Sequence, residues 1–295
     1  MRISRLLPLM CLFSLMAVSI SCSSPDDDIP TSSNPEGSGT GNSNPDNPQN
    51  PDSSTTTPVA GQVLFFDDFE GTSTIPDTTK WVLCPRETSN WSRYLSESYD
   101  QAYQKDGYLY LVGEKSGDTY LTGGIETRGK FTFTHGKVEC RARFLRQPKG
   151  NHTGIWMMPA PPAEKWPKSG EIDIMEHLGD ETQVYETVHS WYIDDLGNSD
   201  PKAQQIVAID NTEWNTYGVE WTADSITYTV NGTHYLSYPN LDLGGTNGAY
   251  QWPFDHPFYL ILSQSLGGEG TWAGPIDNAA LPAIFQIDWI KVTQL

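Results

Sequence analysis

The apolar residues of this chain recur with the spacing of β-strands rather than helices. We predict a strand in each of four segments that alternate apolar and polar residues or are rich in β-branched and aromatic ones: 107–111, 137–144, 225–230 and 285–290. Asn231-Gly232 directly follows the third segment and is typical of a type I′ turn in a β-hairpin. From Val63 onward, the pattern predicts an all-β fold, a β-sandwich jelly roll of two curved antiparallel sheets.

The first 21 residues have the composition of an export signal. Arg2 and Arg5 precede an apolar stretch over 6–20, which is too short to span a bilayer stably. The segment 19–22, Ser-Ile-Ser-Cys, resembles the lipobox of bacterial lipoproteins. This resemblance implies cleavage after residue 21 and lipidation of Cys22. The alternative is a cleaved secretion signal in which Cys22 is incidental.

Residues 22–60 are rich in Ser, Thr, Asn, Pro, Gly and Asp and contain almost no apolar residue. Such a segment cannot bury enough surface to offset the entropy lost on ordering, so we predict a disordered acidic tether. Its start, 23–28, resembles the surface-export signal of Bacteroidetes lipoproteins. We therefore expect a signal peptide over 1–21, a tether over 22–60 and a folded domain over 61–295, held at the outer membrane and exposed on the cell surface.

Charge and cysteine content exclude several classes of protein. The 295 residues include 37 Asp and Glu against 18 Lys and Arg, a net charge of −19. This balance argues against nucleic acid as a partner and against any membrane contact beyond the lipid anchor. The four cysteines have neither zinc-ligand spacing nor the density of a disulfide framework: Cys11, Cys22, Cys84 and Cys140.

Three closely spaced acids, Glu171, Asp173 and Glu176, carry the candidate chemistry. On a regular strand, Met175 would share a face with Glu171 and Asp173, and Glu176 would point to the opposite face. A β-bulge at Ile174-Met175 would bring all three acids to one face, and bulges often lie beside active sites. Acids crowded on one face repel one another, which favours a functional role over the alternative of a solvated acidic strand.

The spacing Glu-x-Asp-x-x-Glu behind Trp-Pro-Lys-Ser-Gly over 166–170 resembles the signature of glycoside hydrolase family 16, in its laminarinase-like branch. Five further segments follow the order of that family: 124–131, 136–143, 154–159, 253–260 and 287–292. The resemblance implies that 61–295 is a catalytic domain with an open substrate cleft on its concave face.

The resemblance also implies roles for the three acids. Glu171 matches the nucleophile, Glu176 the general acid/base, and Asp173 the assisting carboxylate between them. Two carboxyl groups about 5–5.5 Å apart leave no room for a water, so hydrolysis passes through a glycosyl-enzyme and retains the anomeric configuration. This chemistry requires no cofactor. A structural calcium ion is implied on the convex side, with Asp68 and Asp288 as carboxylate ligands.

Aromatic side chains are natural platforms for the apolar faces of sugars. The resemblance implies that Trp156 and Trp166 line the cleft and that His189 lies near the acids, and we predict substrate contacts from these three together with Trp191 and Arg128. Further cleft candidates are Trp91 and Trp252, whereas Trp81, Trp221 and Trp289 are assigned to the core or the outer sheet. The alternative role is core packing for each tryptophan and a structural salt bridge for Arg128.

The expected function is a monomeric retaining endo-β-glycanase acting on β-1,3-glucan or mixed-linkage β-glucan. One alternative is an endo-β-galactosidase acting on host mucin-type O-glycans or marine galactans, because Ser263 replaces an Asn that laminarinase-like relatives usually carry. Another alternative is a non-catalytic carbohydrate-binding surface protein. Such proteins usually lack one of the acids, and here all three are present.

Overall fold

Two antiparallel β-sheets pack face to face in the computed structural model, which describes residues 59–295. This confirms the predicted all-β fold class, and the sheets enclose one main hydrophobic core. The predicted signal peptide, Cys22 and almost all of the tether lie outside the described residues. Within 59–295, no helix is long and apolar enough to cross a membrane.

The larger sheet has nine strands. They are β1 (Val63–Asp67), β3 (Ala102–Lys105), β4 (Tyr108–Ser116), β5 (Thr119–Thr122), β7 (Gly136–Arg146), β12 (Asn215–Trp221), β13 (Ser225–Val230), β14 (Thr233–Pro239) and β16 (Ala283–Thr293). Seven of them run in the order β14-β13-β12-β7-β16-β4-β3, while β1 pairs with β16 and β5 pairs with β4.

The smaller sheet has seven strands and carries the three acids. They are β2 (Val82–Leu83), β6 (Gly124–Glu126), β8 (Asn151–Pro159), β9 (Glu171–Leu178), β10 (Gln183–His189), β11 (Gln204–Ala208) and β15 (Phe258–Leu266). The order is β11-β10-β9-β8-β15-β6-β2, so β9 is an interior strand with partners on both sides. The described residues also form two short helices, α1 (Trp191–Asp194) and α2 (Gly245–Gln251).

The four predicted strands correspond to β4, β7, β13 and β16, with longer bounds in three of them. Asn231 and Gly232 connect β13 to β14, and both have positive φ angles, 52° and 78°. A type I′ turn requires positive φ at both central residues, which explains why this dipeptide forms the hairpin.

Large aromatic residues fill the space between the sheets. Trp81 and Trp221 are almost completely buried, as the sequence predicted. Trp252 was considered a cleft candidate, and that interpretation is wrong. Its ring is 5% exposed and stacks on Tyr238 and packs edge-on against Phe254. Burial of these rings supplies much of the apolar area that stabilises the sandwich.

The two carboxylates assigned to a calcium ion have other partners. Asp288 in β16 forms an ion pair with Arg141 in β7. Asp68 follows β1 and accepts a hydrogen bond from the backbone amide of Glu70. A guanidinium beside Asp288 neutralises the charge that would attract a divalent cation. Asp288 therefore does not fit its expected role as a calcium ligand, and the role expected for Asp68 stays a prediction.

Candidate active site

A β-bulge in β9 brings the three acids to one face of the smaller sheet. The pairing register shifts between Asp173 and Glu176 against both neighbours, β8 and β10. Ile174 and Met175 both point into the core and are fully buried. The predicted bulge is thereby confirmed, and Glu171, Asp173 and Glu176 line one small cavity together.

Glu171 and Asp173 are each held by an aromatic nitrogen. Trp166 Nε1 donates a hydrogen bond to Glu171 Oε2 at 2.5 Å. His189 Nε2 lies 3.3 Å from Asp173 Oδ2, an ion-pair contact without good hydrogen-bond alignment. On its other side, His189 Nδ1 lies 2.8 Å from Asp194 Oδ1 in α1. Two carboxylates thus fix the imidazole between them, which explains the predicted position of His189 beside the acids.

Burial and mutual repulsion keep the acids from ionising together. Burial and the charge of Asp173 raise the pKa of Glu171 well above its ordinary value. Burial and the charge of Glu176 raise the pKa of Asp173 to about 6. Burial alone would lower the pKa of His189, but the contacts with the Asp173 and Asp194 carboxylates raise that pKa to about 12. The positive imidazolium partly compensates the crowded carboxylates, so that one of them can ionise.

Glu171, Asp173 and His189 also form a potential metal-binding set, with donor atoms within 4.8 Å of one another. A metal ligand must be a neutral imidazole, and His189 holds its proton between two carboxylates. The donor set therefore fits an internal cation, the imidazolium, better than a metal ion. The geometry favours acid–base and nucleophilic chemistry by the carboxyl groups.

A cavity of about 540 Å³ lies next to Glu171. Trp156 and Trp166 line it, as predicted, and so does Trp91, whose ring packs edge-on against Trp156 at 4.8 Å. Trp156 Nε1 donates to Ser263 Oγ at 3.1 Å, so the indole is fixed in one orientation. Flat aromatic walls with few polar groups suit the faces of pyranose rings.

Arg128 lines the cavity and also forms the structural ion pair considered for it. Its guanidinium lines the same cavity, and its Nε donates to Glu126 Oε1 at 2.7 Å. Nη2 lies 2.6 Å from the same oxygen, and Glu126 is 2% exposed, so the ion pair is anchored in the protein at the edge of the cavity. Trp191 lies further away. It lines a separate cavity of about 570 Å³, which Trp166 also borders, and it does not line the cavity of the acids.

On the side of His152, the neighbour of Glu176, lies a further cavity of about 180 Å³ that the sequence did not predict. His152 and Trp272 line it together with Trp91. Trp272 is 51% exposed, and its ring packs edge-on against His152 at 5.4 Å and Tyr185 at 4.9 Å. His152 and Trp272 are isolated in the sequence, so no motif or spacing could have indicated them, whereas Trp91 was a cleft candidate. The acids thus have aromatic cavities on both sides.

Comparison with known proteins agrees with this geometry. The family model described as glycosyl hydrolases family 16 matches residues 90–291. A keratan-sulfate endo-1,4-β-galactosidase of Sphingobacterium multivorum is 37% identical over 241 residues, covering 79% of this chain and 55% of that protein. A β-glucanase of Rhodothermus marinus is 31% identical over 246 residues, covering 78% of this chain and 84% of that protein.

The chain thus spans about half the length of the first of these relatives. Among solved structures, one comes from work on endo-acting O-glycanases with which prominent human gut bacteria initiate mucin breakdown. It has a TM-score of 0.72 and 34% identity, and it covers 79% of this chain and all of that chain. Taken with the bulged strand and its three acids, these matches show that the chain belongs to glycosyl hydrolase family 16.

Proposed function

We propose that this protein is a retaining endo-β-glycanase in which Glu171 is the nucleophile and Glu176 the general acid/base. The observation that carries this proposal is the bulge, which places both carboxyl groups in one cavity flanked by aromatic walls. A carbohydrate-binding protein would have no need for three mutually repelling acids at the bottom of its cleft.

In the first step, the Glu171 carboxylate attacks the anomeric carbon while the bond from that carbon to the linkage oxygen breaks. Glu176 transfers its proton to the departing oxygen, and the leaving sugar departs with a new hydroxyl group. Asp173 lies between the two acids in sequence, and after burial its charge is the main cause that raises the pKa of Glu171. Loss of the Glu171 proton to solvent or to a neighbouring group leaves Glu171 ionised for attack.

In the second step, Glu176 acts as a base. Its carboxylate removes a proton from water, the resulting hydroxide attacks the anomeric carbon, and the Glu171 ester bond breaks. Two displacements at the same carbon restore the original anomeric configuration. The positive charge of His189 remains beside Asp173 through both steps and limits the repulsion among the acids.

Endo action is supported by cavities on both sides of the acids, one of about 540 Å³ beside Glu171 and one of about 180 Å³ on the side of His152, the neighbour of Glu176. A polymer can therefore extend past the cleavage point in both directions. We expect a mixture of oligosaccharide sizes early in digestion. A single mono- or disaccharide as the early product would contradict endo action.

For the substrate, we favour a β-galactoside within a host-type glycan over the β-1,3-glucan expected from the sequence. The support is the higher identity to the keratan-sulfate endo-β-galactosidase, 37%, than to the β-glucanase, 31%. β-Glucan is the second candidate, because the β-glucanase relative is covered over 84% of its length. The chemistry at the acids is the same for both, and only the contacts to sugar hydroxyls differ.

The deciding experiment measures reducing ends released from keratan sulfate, mucin O-glycans, laminarin, barley glucan and agarose. Glu171→Gln and Glu176→Gln serve as inactive variants, because both groups act in the bond-breaking step and their loss costs several orders of magnitude in rate. Glu213→Gln, at an exposed position, is the matched control. Hydrolysis by either active-site variant at the rate of the control would refute the assignment. Binding of a glycan without hydrolysis would favour a carbohydrate-binding protein.

We also propose that the chain is a surface lipoprotein tethered through Cys22. A tether with the composition of 23–60 would reach about 35 Å on average, at about 5–6 Å times the square root of its length. Its prolines and repelling acids would extend it further. This reach lets the domain sample large insoluble or mucin-bound glycans and release oligosaccharides near the cell.

A further inference from the structure

His152 is the histidine on the cleft face of β8, and it contacts the proposed general acid directly. Its Nε2 lies 2.9 Å from Glu176 Oε1, and both side chains are largely buried, 24% and 16% exposed. The sequence motif of the three acids does not include this residue. The contact forms because β8 and β9 are adjacent, and His152 lies close to Glu176 across the strand pair.

The other face of the imidazole is also fixed. The Trp272 ring packs edge-on against His152 at 5.4 Å, and Trp272 in turn packs against Tyr185. Tyr185 is the register partner of Glu176 on β10. Strands on both sides of β9 thus support the position of His152. A side chain held on two sides loses little conformational entropy when it forms a directional hydrogen bond.

The contact distinguishes the two oxygens of Glu176. Oε1 is occupied by His152, whereas Oε2 makes no hydrogen bond to any group in residues 59–295. A proton donor works best when its acidic oxygen points at the linkage oxygen and its other oxygen is held in place. When Nε2 carries a hydrogen, it donates to Oε1 and stabilises the carboxylate that remains after the proton has left.

We propose that His152 is a positioning residue for Glu176: it holds Oε1 so that Oε2 presents its proton to the leaving oxygen. The inference rests on the proposed role of Glu176 as general acid. The proton passes from Oε2 to the linkage oxygen as the carbon–oxygen bond breaks, and His152 keeps its own proton. In the second step, Oε2 takes up the proton of the attacking water.

This role makes a prediction about leaving groups. A sugar hydroxyl or an alkoxyphenol leaves poorly without a proton, whereas 2,4-dinitrophenolate leaves without assistance. The test compares 4-methoxyphenyl and 2,4-dinitrophenyl β-glycosides of one disaccharide, GlcNAc-β1,3-galactose or laminaribiose, whichever glycan class the wild-type enzyme hydrolyses. In both disaccharides the aryl group then sits on the anomeric carbon that the enzyme attacks. His152→Phe keeps a ring and removes the hydrogen bond, His152→Gln keeps a donor, and His234→Gln at an exposed position is the control.

We expect His152→Phe to lose at least about tenfold more kcat/KM on the methoxyphenyl substrate than on the dinitrophenyl substrate, with KM changed less than about threefold. His152→Gln, which keeps a donor, should lose less kcat/KM on the methoxyphenyl substrate than His152→Phe does. If His152→Phe does not fold, His152→Ala takes its place, because it also removes the hydrogen bond, and its loss must be larger with the poorer leaving group. Equal losses on both substrates in the folded variants would indicate a structural role only and overturn the inference.

Glu176→Gln separates this inference from the proposed function. If Glu176→Gln discriminates strongly between the two leaving groups and the His152 variants do not, the inference about His152 is wrong and the general acid stands. If Glu176→Gln shows no discrimination, Glu176 is not the proton donor, and the proposed function fails together with the role of His152.

Discussion

Glu186 offers a sharp test of how the core of this protein responds to pH. It lies in β10, its side chain is completely buried, and neither carboxyl oxygen has a hydrogen-bond partner within residues 59–295. Burial raises its pKa from 4.5 to about 8. The native state therefore keeps this carboxyl protonated under conditions in which the unfolded chain ionises it.

The magnitude follows from linkage between protonation and folding. Between pH 4.5 and about 8, the native protein holds a proton on Glu186 that the unfolded chain has lost. The free energy of unfolding therefore falls as pH rises through this window, by about 1.4 kcal/mol per pH unit. From pH 5 to pH 8, this single group should cost the native state about 3–4 kcal/mol.

Glu186→Gln removes the titration and keeps the size and shape of the side chain. At pH 5 both proteins carry a neutral group, so we expect their free energies of unfolding to agree within about 1 kcal/mol. At pH 8 the variant should be more stable than the wild type by about 3–4 kcal/mol. Urea unfolding at half-unit steps of pH measures this difference. His177 and His189 titrate in both proteins, so their contributions cancel.

The control is Glu213→Gln, which removes a carboxyl from an exposed position. It should leave the pH dependence of stability unchanged. The reasoning would be refuted if the difference in free energy of unfolding between Glu186→Gln and the wild type stayed constant between pH 5 and pH 8. Such a result would mean that the native carboxyl ionises as easily as in the unfolded chain and has a partner or solvent contact in solution.

Four further outcomes are expected. The pKa of Asp173 is about 6, and the acid pair must lose a proton before Glu171 can attack. We therefore expect kcat/KM to rise as pH increases, with an apparent pKa near 6. A profile flat from pH 4 to pH 7 would contradict this. Azide should restore turnover to Glu171→Ala with inversion at the anomeric carbon, seen by NMR of the product; a retained product would exclude Glu171 as nucleophile. Trp272→Ala should lower kcat/KM on long oligosaccharides by about two- to tenfold and leave dinitrophenyl glycosides unaffected, and equal effects on both would remove Trp272 from substrate binding. Cys22→Ser should release the protein from membranes, and protease treatment of whole cells should abolish activity on glycans only in the wild type.

The sequence was sufficient to predict what depends on local pattern. Two-residue alternation predicted the strands, and Asn231-Gly232 predicted its hairpin because the required φ angles are a property of those two residues. The bulge could be predicted because regular pairing would have buried Glu176 in the core without a partner, at a cost of several kcal/mol. In each case the physical constraint acts within one strand or turn.

Contacts between distant segments were not predictable in the same way. His152 and Glu176 meet because β8 and β9 pair, and Trp272 reaches them from the connection between β15 and β16. Trp252 is a second example. A buried tryptophan and a sugar-binding tryptophan have the same local sequence pattern, so the sequence could not assign Trp252 to the core. Asp288 was assigned as a metal ligand, but β7 brings Arg141 against it. Only the strand order decides these partners.

The position of β9 inside the sheet separates the catalytic acids from the residues that set glycan preference. An enzyme family can therefore change the second without changing the first. The acids lie on a strand with hydrogen-bonded neighbours on both sides, so sequence changes there disturb two ladders at once and are strongly constrained. Trp272 and Trp166, by contrast, lie on connections whose length and composition can vary at little cost to the sheet. New glycan preferences can therefore arise by exchange of connections around an unaltered set of acids. Transplanting the 267–282 connection between glucan- and galactan-cleaving relatives is a direct engineering route to altered specificity.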